Sequence, residues 1–187
     1  MNLNKKILIS SLLSVFMFVA IFLSVVSCDT NNNGKTEEDN EANKEAKINK
    51  SQKEAKLLVL ASENYINLIN YSNYIKSKNY ISKKTKSLLK SFEFNTTERL
   101  TNLKELSKHE LVLLPNYTNT TFTDTTEVEI NQNIYLTKLN IMISNQINLM
   151  NKLSEESNKI SISILASEAE DFLRQNKKNI ENIIDKS

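Results

Sequence analysis

Residues 57–76 read LLVLASENYINLINYSNYIK. Leu58, Ala61, Tyr65, Leu68, Ile69, Ser72 and Ile75 recur there at spacings of three and four. That is the pattern of a helix with one buried face, and it predicts a first helix over residues 47–77. The polar Ser77-Lys78-Asn79 then turns the chain. Ser82 can cap a second helix, which carries Leu88, Leu89, Phe92, Thr96, Leu100, Leu103 and Leu106 on one side and ends near Glu110 to Leu114, before Pro115. Residues 115–125, PNYTNTTFTDT, form a loop, because β-branched Thr disfavours helix. Thr126-x-x-Glu129 is a capping box that opens a third helix, striped by Ile130, Ile134, Leu139, Met142, Ile147, Met150 and Leu153. The stripe falters at Ser157-Asn158-Lys159. A fourth helix follows, with Ile162, Leu165, Ala169, Phe172, Leu173, Asn176, Ile180 and Ile183 in phase. With 1 Gly and 1 Pro in 187 residues, little interrupts these helices. Four striped helices joined by short polar links predict an all-α, antiparallel four-helix bundle over residues 46–187.

Upstream the composition changes. Residues 29–45, DTNNNGKTEEDNEANKE, have no apolar side chain larger than Ala42. They bury too little surface to offset ordering entropy, so residues 28–45 read as a disordered tether. Before it, Lys5-Lys6 precede an uncharged apolar run, Ile7 to Val26, and then Ser27-Cys28. Basic residues, an apolar core and a small residue make a secretory signal, placed over residues 1–27. Val25-Val26-Ser27-Cys28 resembles the lipobox of bacterial lipoproteins. The resemblance implies cleavage before Cys28 and acylation of its sulfur and amine. It implies a membrane partner through that lipid and a place in the cell envelope, on the outer membrane, its periplasmic face or the cell surface. The alternative is an uncleaved anchor, since Ile7 to Val26 is long enough to span a bilayer. As the only cysteine, Cys28 cannot form a disulfide within the chain.

Removing residues 1–27 takes away two of the 24 basic residues and leaves 22 facing 22 acidic ones. A neutral domain gives no general attraction to nucleic acid. With Gly34 alone, glycine-rich phosphate loops are excluded. No Gly-x-Ser-x-Gly elbow exists, and His109 is the single histidine, so no Ser-His-Asp triad is readable. Glu105 precedes His109 by four residues, within reach across a helix turn. The carboxylate pairs Glu37-Glu38, Glu155-Glu156 and Glu170-Asp171 are adjacent in sequence and do not face each other on a helix. Glu168 and Asp171 share a face but read as solvated surface, as does Lys83-Lys84-x-Lys86. Tyr65, Tyr71, Tyr74 and Tyr80 gather near the first helix junction and fit the edge of a core. Met142 and Met150 read as core filler.

The order of features over residues 57–184 resembles a family of secreted, ferritin-like bacterial proteins known as a domain of unknown function. The features are Leu57-Leu58-Val59-Leu60-Ala61-Ser62, Leu103-Lys104-Glu105-Leu106 to Leu114-Pro115, Tyr135 with Met142 and Gln146-Ile147, and Ala169 to Ile180. The family's histidines do not carry over. Thr96, Gln146 and Asn176 or Asn179 stand near their places, and Thr96, Gln146 and Asn176 are the polar members of the inward stripes of the second, third and fourth helices. Di-iron bundles need Glu-x-x-His pairs on two helices, and none is present here. The sequence therefore leads to an envelope-anchored lipoprotein with a non-enzymatic helical domain for interaction or structural support. It carries no catalytic residues, metal ligands or cofactor, and its protein partner is unnamed. The alternatives are a divergent ferritin-like metal-binding stress protein and a surface lipoprotein that binds a host factor.

Overall fold

The computed structural model describes residues 37–123 and 131–186. Their regular structure is four helices: α1 (Glu37–Lys76), α2 (Lys83–His109), α3 (Gln132–Glu156) and α4 (Ile160–Ile184). Asn43–Ser187 form one compact unit, and Met1–Ala42 separate as another. Among the described residues no helix is long and apolar enough to cross a membrane.

α1 begins nine residues before the expected boundary at residue 46, so residues 37–45 are helical where the composition suggests a disordered tether. The Ala, Glu and Lys there are strong helix formers. Polarity argues against burial here, and helix formation does not require burial. The signal segment, Cys28 and residues 29–36 lie outside the described residues, as does the Thr126–Glu129 box. α3 opens at Gln132 with Asn131 as its cap, whose side chain accepts from the amides of Asn133 and Ile134. Ser82 caps α2 as expected, accepting from the Thr85 amide at 3.1 Å.

Side-chain pairs set the arrangement. Asn73 Nδ2 donates to Glu93 Oε1 at 2.9 Å, and Lys159 ties Glu54 to Glu110 farther along, so α2 lies antiparallel on α1. Ser157 reaches Glu54 and Asn64 reaches the Met142 carbonyl, so α3 is also antiparallel to α1. Asn140 bonds Glu181 and Ser163 bonds Ser154, pairing α3 with α4. Phe92 stacks on Phe172 at 5.9 Å between α2 and α4. Every neighbouring pair is antiparallel. α2 and α3 are diagonal and run the same way, and the described part of the link between them, residues 110–123, returns along the bundle. This is one long crossover, where the sequence reading has only short links.

The crossover begins with a Schellman turn. The amides of Leu111 and Val112 donate to the carbonyls of Lys108 and Ser107. Leu111, at φ 57°, takes the left-handed position that glycine normally fills. Lys104 then holds Asn116 at 3.0 Å, and Thr118 donates to Asn67 Oδ1 at 2.7 Å. Phe122 packs against Tyr71, with centroids 4.9 Å apart, and against Tyr74. The core runs through Leu58, Leu68, Ile75, Leu89, Leu103, Leu136, Leu139, Ile143, Met150, Leu153 and Leu173.

Candidate functional site

The stripes of α1 and α2 match the sequence reading, but the α3 stripe is corrected. Ile134 is exposed and Met142 half-buried, while Tyr135, Leu136 and Ile143 face inward. Phe172 is half-buried at the core edge, and Leu103 is fully enclosed. Thr96 and Gln146, read as inward polar members, are both fully buried. Asn176 is half-buried and donates to the Phe172 carbonyl at 2.8 Å.

Gln146 is the hub of an interior polar layer. Its Nε2 donates to the Ala61 carbonyl at 3.2 Å, and its Oε1 accepts from Asn64 Nδ2 at 2.8 Å. The Tyr65 hydroxyl donates to Met150 Sδ at 3.6 Å. Burial pushes the Tyr65 phenol up to about 12; hydrogen bonding to Gln146 and the Arg99 charge offset this in part. Thr96 Oγ1 donates to the Phe92 carbonyl at 2.6 Å, bonding back along its own helix. The Arg99 guanidinium sits 4.3 Å from the centre of the Phe172 ring, and its Nε is enclosed without a hydrogen-bond partner, as is Ser62 Oγ. The layer thus consists of two amides, hydroxyls, a phenol held in its neutral form and a guanidinium. Such groups hold helices in register. None of them supplies the imidazole, thiolate or carboxylate that a transition metal prefers. Among the described residues no three His, Cys, Asp or Glu side chains come together.

The remaining candidates lie on the surface. Glu168 and Asp171 are exposed. Glu170 pairs with Arg174, Glu155 accepts from Asn151, and Glu156 pairs with Lys53 at 2.9 Å. Lys108 donates to the Glu105 carboxylate at 2.6 Å and lowers its pKa through that bond and its charge. His109 is exposed at the end of α2. Lys83 and Lys84 are exposed and Lys86 half-buried. Tyr65 and Tyr71 are buried, Tyr74 half-buried and Tyr80 exposed. Tyr74 and Tyr80 both pack on Tyr135. Met150 is core, with Met142 at its edge.

One end of the bundle carries a polar clamp that sequence reading missed. Glu54, buried although charged, accepts from Ser157 Oγ at 2.6 Å and pairs with Lys159 at 3.7 Å. Lys159 also pairs with Glu110, so α1, the α2 terminus and the α3–α4 turn meet on one ammonium. Arg99 and Asn64 were missed as well. In a helix a lone polar residue at an inward position looks like an ordinary surface residue until the neighbouring helix is placed.

No protein-family model matches the chain, and no curated protein matches it. A solved structure is similar: a conserved hypothetical protein, rv2844, from Mycobacterium tuberculosis. The two share 11% sequence identity at a TM-score of 0.61, over 70% of this chain and 96% of that one. The likeness extends to the fold alone.

Proposed function

We propose that this protein is an envelope lipoprotein, held by lipid on Cys28, whose four-helix bundle acts by contact and not by catalysis. The observation that carries the reading is the interior layer around Gln146. Its Gln146 and Asn64 amides bond to each other and to a backbone carbonyl, and its one titratable acid, Tyr65, stays protonated far above neutral pH. General acid–base work needs a group poised near the operating pH. The finer, ferritin-like reading draws support from the long α2–α3 crossover, a connection ferritin-like bundles share. A divergent metal-binding role would need anionic ligands converging inside the bundle, and the inward polar positions hold Asn64, Gln146, Thr96 and Arg99 instead. The partner is then the membrane through Cys28 and, on the bundle, a protein surface. Two measurements test this. Cells expressing Cys28→Ala should take up no fatty-acid label on this protein; labelling at wild-type level rules out the anchor. Metal analysis of protein purified without chelator should find none at stoichiometric level. One equivalent of iron, manganese or zinc, lost on mutating interior residues, would replace this reading with the metal-binding one.

A further inference from the structure

We draw no further inference here: the strongest candidate, the cavity between the first turn of α2 and the last turns of α4 with Lys84 and Lys186 at its rim, rests on a helix N-terminus flanked by exposed lysines, and the buried polar side chain that lines it, Thr85, is already bonded to Ser82 and Gln132, so nothing there points to a ligand.

Discussion

Replacing Leu111 by Gly should stabilise the protein, although it deletes a large apolar side chain. Leu111 occupies the left-handed region at φ 57° in the turn that ends α2. A non-glycine residue held there costs about 1–2 kcal/mol. Glycine adopts that conformation freely but adds about 0.4–1 kcal/mol of unfolded-state entropy to be lost on folding. The leucine is 95% exposed, so removing it forfeits only about 0.1 kcal/mol of burial out of the 1.5–3 a fully enclosed leucine contributes. The balance is a gain of roughly 0.5–1 kcal/mol, or about 1–4 °C in Tm for a domain of this size. Urea or thermal unfolding followed by circular dichroism reads it, with the m-value unchanged. Leu111→Ala is the control. It removes the same apolar bulk and keeps the β-carbon, so it should bring no gain. If L111G melts at or below wild type, or L111A rises equally with it, the turn is not strained as argued.

Leu103→Ala should cost roughly 2–5 kcal/mol, as for any fully enclosed leucine, and Phe172→Ala should fall at or below the low end of the aromatic range because its ring is half-buried; equal chevron-free denaturation midpoints for both and wild type would refute the packing. Gln146→Leu should cost about 1–2 kcal/mol, since it leaves Asn64 with only the Met142 carbonyl at 3.3 Å, and Gln146→Glu should cost more and recover as pH falls, because a buried carboxylate is tolerated only when protonated. The Tyr65 phenol is raised from 10.0 to about 12 by burial. Between those pH values the unfolded chain loses its proton first, so the stabilising contribution is full below pH 10 and is lost as pH rises toward 12. Tyr65→Phe should flatten that fall, read from denaturation midpoints, and ultraviolet titration should find one of the six tyrosines ionising late.

Some of this was legible in one dimension. Helices α1 and α2 put polar and apolar residues at clean spacings, so Leu58, Tyr65, Leu68, Phe92, Thr96 and Leu103 could be placed inside by counting. In α3 apolar residues fall on almost every face, and Ile134, Ile141, Met142 and Ile143 compete for the interior. Periodicity cannot choose among them; contact with α1 and α4 brings Ile143 in and leaves Ile134 out. The Thr126-x-x-Glu129 box read from the sequence lies ahead of α3, and the cap observed is Asn131. Helix formation over residues 37–45 was hidden because polarity was read as disorder, while local helix propensity acts without burial. The sequence by itself determined the class, the four helices and the inward Thr96 and Gln146, since these follow from short-range spacing. Only the tertiary structure decided that α2 and α3 run parallel on the diagonal, that Arg99 lies over Phe172, and that Leu111 turns left-handed into solvent. Those depend on which helix packs beside which, and residues far apart in the chain settle that together.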